Sequence, residues 1–188
     1  RTSISPFAHG AIATRNVPPS GIASIALRKR FRKSCCSLSG DAAISCASTG
    51  TEIVAVTGTF GARVIGSRAE HAIGEHSALA LVAKHAPGCD AVVIAVSYDT
   101  GLRAARELLP IPVVGMTEAG LLTACMLGGR IGVITFGRRV LPLYHELVAS
   151  YGLGARIAGW RTLESTAAYQ RGAHDALDRE LVAAAQDL

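Results

Sequence analysis

From residue 51 onward, apolar runs alternate regularly with amphipathic stretches. Five runs rich in apolar and β-branched residues predict buried strands: residues 52–57, 90–96, 112–115, 131–136 and 155–160. Between and after them, apolar residues recur at helical spacing and predict helices: residues 68–86, 101–109, 117–127, 140–151 and 177–188. Strict alternation of strand and helix is typical of βαβ units. The pattern therefore predicts an α/β protein with a doubly wound parallel sheet.

Two finer expectations follow from the same pattern. In the helix over residues 68–86, the apolar face should be the buried one, and it includes Ala72, Ile73, His76 and Leu79. His76 on that face is interpreted as a packed histidine. Thr117 stands at the start of the helix over residues 117–127, where a hydroxyl can cap the first free N–H groups.

The first 50 residues lack this order. Ser, Cys, Arg and Ala are mixed there without a period of two or 3.6, and turn-forming residues are scattered among them. A short helix over residues 21–32 is the regular element that we expect in this segment. We interpret residues 1–50 as an irregular basic segment, and an N-terminal piece joined out of frame would explain its composition.

Charge follows the same division. The 188-residue chain has a formal net charge of +5, but residues 1–50 hold seven basic side chains and one acidic side chain. The basic residues are concentrated in the run 28–33, without interleaved stacking groups, and aromatic residues make up 5% of the chain. This distribution disfavours a nucleic-acid-binding protein. No apolar run approaches the ~20 residues of a membrane span, so a membrane protein is excluded.

The cysteines indicate a reducing environment. There are five of them, an odd number, and no CxxC spacing occurs. This is neither a secreted disulfide framework nor a zinc motif, so we expect a cytoplasmic protein without a bound metal. GxGxxG and Walker loops are also absent from the strand ends, which removes the usual signatures of nucleotide cofactors.

Candidate chemistry lies at the carboxyl ends of the predicted strands, where α/β sheets bind ligands. The loops there are rich in hydroxyl groups and glycine, which suits a small anionic or carbonyl-bearing molecule. The candidate substrate-binding residues are Thr57, Ser97, Tyr98, Asp99, Thr100, Gly101, Thr117, Glu118, Thr135 and Phe136. We expect those from Ser97 onward to line one cleft. The alternative is that the polar ones only cap helices, as Asp99 would for the helix that follows it.

Several segments in order carry a family resemblance. They are GCDAVVIA at residues 88–95, DTGLRAARE at 99–107 and IPVVGMTEA at 111–119, with GTEIVAVT at 50–57 and RIGVITFGR at 130–138 around them. Together they resemble the Asp/Glu/hydantoin racemase superfamily over roughly residues 50–165, and the hydantoin and allantoin racemase branch most closely.

This resemblance implies two similar Rossmann- or flavodoxin-like lobes with the substrate between them. The first α/β lobe would span residues 51–115, and the second, partial lobe residues 116–188. It also implies proton transfer at a carbon next to a carbonyl, with no cofactor, in a homo-oligomer. The substrate would be of hydantoin, amino-acid or dicarboxylate type.

The resemblance further implies two catalytic cysteines, one in each lobe, acting as acid and base. The sequence departs from this pattern. Val96 stands where the first cysteine would follow Ile94 and Ala95, and we expect the second to lie beyond Leu188. The family's N-terminal strand and asparagine loop are echoed only weakly by residues 15–20.

The catalytic residues therefore stay unassigned. Ser97 and Asp99 are the nearest polar groups to Val96, and Cys125 is a further candidate, although its helical position predicts a core residue. Cys89 precedes a strand and should face away from the site.

Three functions remain open. The leading one is an isomerase of the racemase family. The others are a ligand-binding homologue that does not catalyse, and another carbon-acid reaction such as decarboxylation or maleate-type isomerisation.

Overall fold

The computed structural model describes residues 23–29, 43–46, 51–58, 60–62, 64–163 and 174–188. The strands within these ranges are β1 (Ala23–Lys29), β2 (Ala43–Cys46), β3 (Thr51–Thr57), β4 (Ala91–Ile94), β5 (Val113–Gly115), β6 (Ile131–Phe136) and β7 (Ile157–Leu163). The helices are α1 (Arg68–His85), α2 (Leu102–Leu108), α3 (Met116–Leu127), α4 (Leu141–Ser150) and α5 (His174–Gln186). Short 3₁₀ turns at Arg138–Val140 and Gly154–Arg156 precede α4 and β7.

The strands form two sheets. The larger has the order β2-β3-β1-β4-β5, and the smaller pairs β6 with β7. The β4–β5 and β6–β7 pairs are parallel, with a helix between the strands of each pair, whereas β1 runs antiparallel to both β3 and β4. The predicted α/β class and the alternation of strands and helices after residue 51 are confirmed.

The helix predicted over residues 21–32 is wrong, because this segment contains β1. The sequence Ser24-Ile25-Ala26-Leu27 alternates small or polar with large apolar residues, which suits a strand. β1 lies between β3 and β4 and pairs with both. Each neighbour gains a backbone hydrogen-bonding partner that it would otherwise lack, and this pairing overrides the helical propensity of Ala, Leu and Arg.

Helix α1 buries a different face from the predicted one. Its buried residues are Gly74, Ser77, Ala78 and Val82, whereas His76 is exposed and Ile73 is 51% exposed. Small residues let the helix approach the end of β3 closely. The Ser77 hydroxyl donates a 2.9 Å hydrogen bond to the carbonyl of Phe60, and a Cβ added at Gly58 would lie 2.5 Å from the Ser77 Oγ. Close approach at the small residues, together with burial of Val82, decides which face is buried.

Two hydrophobic clusters form the core. The first joins α1, β4, α2 and β5, and the second joins α3, β6 and α4. Val96 packs against the first cluster, and Cys125, Tyr151 and Trp160 pack against the second. β5 continues directly into α3 with Gly115 as the N-cap, so no loop separates the two clusters at this point. The boundary predicted between residues 115 and 116 falls at this junction and stays a prediction.

Candidate active site

A cleft of about 270 Å³ lies between helices of the two clusters. Its walls come from α1 and α2 on one side and from α4 on the other, and the loop after β4 closes its floor. The lining residues are Arg68, His71, Glu75, Tyr98, Asp99, Leu102, Arg103, Leu143, Glu146, Leu147, Ser150 and Tyr151. The cleft thus lies beyond the carboxyl end of β4, where α/β folds place their ligands.

Asp99 is the most heavily engaged polar residue of the floor. Its side chain is buried, with 4% of the residue exposed. The carboxylate accepts hydrogen bonds from the backbone N–H of Thr117 at 2.8 Å, the N–H of Glu118 at 2.7 Å and the hydroxyl of Tyr151 at 2.6 Å. Asp99 also has a φ of 49°, in the left-handed region that non-glycine residues rarely adopt. Its surroundings therefore hold it in a costly backbone conformation, with both carboxylate oxygens occupied.

The predicted capping roles of Thr117 and Asp99 are both wrong, because Thr117 does not cap α3 and Asp99 does not cap α2. Helix α3 begins at Met116 because β5 runs straight into it, and its N-cap is Gly115, which has no side chain to offer. Asp99 supplies the missing acceptor from another loop. It caps α3 and not α2, whose N-cap is Gly101.

The first turn of α3 has a second attachment. The Arg106 guanidinium pairs with the Glu118 carboxylate at 2.5 Å, and its Nε donates to the carbonyl of Val113 at 3.0 Å. Arg106 belongs to α2, so both Asp99 and Arg106 tie α3 to the first cluster. These contacts fix where the second part of the chain starts relative to the first.

Tyr98 begins a row of aromatic rings that leads from the cleft to Trp160. Its ring centroid lies 4.4 Å from that of Tyr144 and 5.8 Å from that of His71, which it meets edge-on. Tyr144 is followed by Trp160 at 6.4 Å, and His145 lies 4.6 Å from Trp160. Burial, with a smaller contribution from Tyr144, raises the pKa of Tyr98 above its ordinary value. Tyr98 therefore stays neutral and serves as an apolar wall of the cleft.

An ion pair spans the outer rim of the cleft. Arg68, the first residue of α1, donates from Nη1 to Oε2 of Glu146 at 2.8 Å, and a second hydrogen bond joins Nη2 to Oε1. The two side chains are 62% and 58% exposed. Their hydrogen bond raises the pKa of Arg68 and lowers the pKa of Glu146, so both groups stay charged.

Two of the ten predicted binding residues, Tyr98 and Asp99, line this cleft. The Ser97 carbonyl accepts a hydrogen bond from the Thr117 hydroxyl, so Ser97, Asp99, Thr117 and Glu118 are brought together. The others lie elsewhere in the fold: Thr57 ends β3, Thr100 is fully buried, Gly101 caps α2, and Thr135 and Phe136 end β6 in the second sheet. A single cleft shared by all these loops stays a prediction.

Sequence reasoning missed most of the polar cleft residues. Glu75, Arg103 and Glu146 are ordinary surface residue types on three different helices, and the sequence gives no sign that they face each other. For His71 and Glu75 the sequence did contain one signal. Their spacing of four residues predicts that both lie on the same side of α1. Their position against Tyr98 depends on the packing of α1 and the β4 loop.

Cys89 and Cys125 lie outside the lining of the cleft. Cys89 precedes β4 at its amino end, and its thiol donates to the carbonyl of His85 at 3.3 Å. Cys125 packs against the second cluster, as its helical position predicts. The described residues contain no group of three or more His, Cys, Asp or Glu side chains that could hold a metal ion. None of the helices in these ranges is long and apolar enough to cross a membrane.

Comparison with known proteins identifies a family and several relatives that are similar to this chain in sequence. The model of the Asp/Glu/hydantoin racemase family matches residues 37–188. A hydantoin racemase of Pseudomonas sp. (strain NS671) is 38% identical over 122 residues, which is 64% of this chain and 49% of the relative. A hydantoin racemase of Paenarthrobacter aurescens is 33% identical over 120 residues, 63% of this chain and 51% of the relative. The chain thus spans about half the length of these relatives.

Solved structures give a similar result. The allantoin racemase from Pseudomonas fluorescens matches with a TM-score of 0.62, and the allantoin racemase from Klebsiella pneumoniae with a TM-score of 0.57. Each is 28% identical in sequence, and the match covers 66% of this chain and 54% of the other.

Proposed function

Because this chain belongs to the Asp/Glu/hydantoin racemase family, we propose that it binds a small hydantoin-like or amino-acid-like molecule in the cleft between its two clusters. Any reaction catalysed there would be cofactor-independent proton transfer at the carbon next to the carbonyl. The cleft beyond the carboxyl end of β4 is the observation that carries this proposal. Its size suits a small ring, and Tyr98 and Leu102 give it apolar surface beside polar groups.

Polar groups for orienting such a ligand come from the walls. Glu75 and Arg103 both line the cleft, and no hydrogen bond or ion pair within the described residues engages either side chain. A carboxylate and a guanidinium on the same wall could accept from the N–H of a ring amide and donate to its carbonyl. His71 adds a third polar group beside Tyr98.

Proton transfer needs a base on one face of the carbon and an acid on the other. Asp99 is poorly placed as the base, because three donors already occupy its carboxylate. Ser97 is exposed, and a serine hydroxyl is a weak base without an activating histidine. Val96, at the position of the first family cysteine, packs against the first cluster and carries no proton to exchange.

We therefore expect this chain to bind its ligand with slow or absent racemisation. The second candidate function is a ligand-binding homologue that does not catalyse a reaction. The packing of Val96 favours that candidate. The cytoplasmic location and the homo-oligomer expected from the sequence belong to the same proposal.

The test is exchange of the α-proton in deuterated water, followed by NMR on a panel of 5-substituted hydantoins and amino acids. We expect ligand resonances to broaden or shift on adding protein, with exchange close to the uncatalysed rate and no effect of iodoacetamide. Fast exchange that alkylation abolishes would contradict this and would identify a cysteine, with Cys125 first among the candidates, as catalytic. No change in any ligand resonance would contradict binding itself.

A further inference from the structure

Two contacts tie α4 and its C-terminal end to other parts of the cleft at different depths. At the floor, the Tyr151 hydroxyl at the end of α4 donates to Asp99, which is 4% exposed. At the rim, Arg68 of α1 pairs with Glu146 of α4, and more than half of each side chain is exposed. All four residues line the cleft. α4 is thus held to the floor by a buried contact and to the opposite wall by an exposed contact.

The two contacts differ in the ease with which they break. An exposed ion pair stabilises a protein little, because water solvates each partner well and salt screens their attraction. A buried carboxylate with three donors is different, since separating it leaves polar groups without partners in a low-dielectric environment. Thermal motion therefore opens the Arg68–Glu146 pair far more often than the Asp99–Tyr151 contact.

We infer that the Arg68–Glu146 ion pair is a gate over the cleft. It separates to admit a small molecule and re-forms behind it, while the Asp99–Tyr151 contact keeps the floor in place. This inference rests on the proposed function, because it names the control of access to the same site. Since the gate is an exposed pair of opposite charges, ionic strength controls it.

Access can be measured without any ligand by placing a thiol inside the cleft. Leu147 lines the cleft beside Glu146 on α4, and Leu147→Cys provides a target for the small neutral reagent N-ethylmaleimide. Mass spectrometry of the digested protein gives the labelling rate at this position. Cys89 and Cys125, which lie outside the cleft lining, give reference rates in the same sample.

In the Leu147→Cys background, we expect Arg68→Gln or Glu146→Gln to raise the labelling rate about two- to fivefold. An exposed ion pair shifts the equilibrium between its paired and separated states by about this factor. The parent should show a similar rise at about 1 M NaCl, where the Debye length is about 3 Å. Exchanging the charges with Arg68→Glu and Glu146→Arg together should return the rate toward that of the parent. Arg179→Gln, on the exposed side of α5, is the matched loss of one charge and should change nothing.

Equal labelling rates in the parent and in both glutamine variants would overturn the gate. So would a parallel rise at Cys89 and Cys125, because it would indicate general loosening of the fold. The labelling experiment needs no hydantoin, so its result can contradict the gate without contradicting the proposed function. A gate that responds to Arg68→Gln in a protein that binds no hydantoin would leave the gate standing and refute the proposed function.

Discussion

The hydroxyl of Tyr151 donates a 2.6 Å hydrogen bond to the carboxylate of Asp99, 52 residues earlier in the chain. The same carboxylate caps α3, so one side chain connects the β4 loop, the start of α3 and the end of α4. Three elements that form the cleft and its surroundings meet at Asp99.

Replacing Asp99 with Asn should destabilise the protein strongly. An amide keeps one acceptor oxygen, and its NH₂ group would face donors where the carboxylate now accepts hydrogen bonds. We expect the free energy of unfolding to fall by about 2–4 kcal/mol, as for loss of buried hydrogen bonds to a charged group. Denaturant titration measures it. Asp178→Asn on the exposed side of α5 is the control. An equal effect of the two substitutions would show that the hydrogen bonds to Asp99 do not stabilise the fold.

The buried tyrosines predict a loss of stability at alkaline pH. Burial raises the pKa of both Tyr98 and Tyr151, and for Tyr151 the hydrogen bond to Asp99 adds to the effect. The folded state thus holds these protons more tightly than the unfolded state, where a tyrosine ionises near pH ~10. Their contribution is complete below that pH and is lost as the pH rises above it.

Unfolding free energies measured from about pH 8 to 11 test this. The parent should lose stability more steeply above pH ~10 than the Tyr98→Phe, Tyr151→Phe double variant. Parallel curves for the two proteins would show that neither tyrosine has a raised pKa in the fold.

Two glycines around α3 should respond in opposite directions to alanine. A Cβ at Gly115 would lie 2.5 Å from the Cγ of Asp99, so Gly115→Ala should displace the cap and cost about 1–3 kcal/mol. Gly120 lies inside α3 with nothing within 4 Å of an added Cβ, so Gly120→Ala should stabilise by about 0.5–1 kcal/mol. Thermal or denaturant unfolding of the pair checks both signs. Destabilisation by both substitutions would contradict the assigned geometry.

Placing a thiol at position 96 tests whether the missing cysteine limits proton exchange. Val96 is partly exposed and lies two residues before the cleft residue Tyr98, and cysteine is close to valine in size. With Val96→Cys we expect hydantoin α-proton exchange to rise by about 10²-fold, the lower end of the contribution of one positioned acid or base. Iodoacetamide should abolish the gain. Val114→Cys, on an exposed strand position, is the control and should give no gain.

The sequence predicted the elements after residue 51 well because their signals are local. A run of apolar residues such as 131–136 predicts a buried strand without reference to the rest of the chain, and β6 has those bounds. β1 was missed because its pairing with β3 and β4 is decided by residues far away in the chain. The cleft was missed for the same reason, since Arg68 and Glu146 are 78 residues apart and only the packing of α4 brings them together.

The aromatic row has an optical consequence. The chain contains a single tryptophan, and Trp160 lies in contact distance of Tyr144 and His145. Tyr144 in turn stacks on Tyr98, which lines the cleft. We expect a molecule that binds against Tyr98 to shift this row of rings, which leads to Trp160. The intrinsic fluorescence of Trp160 should therefore change when the cleft is occupied, which gives a label-free measurement of binding.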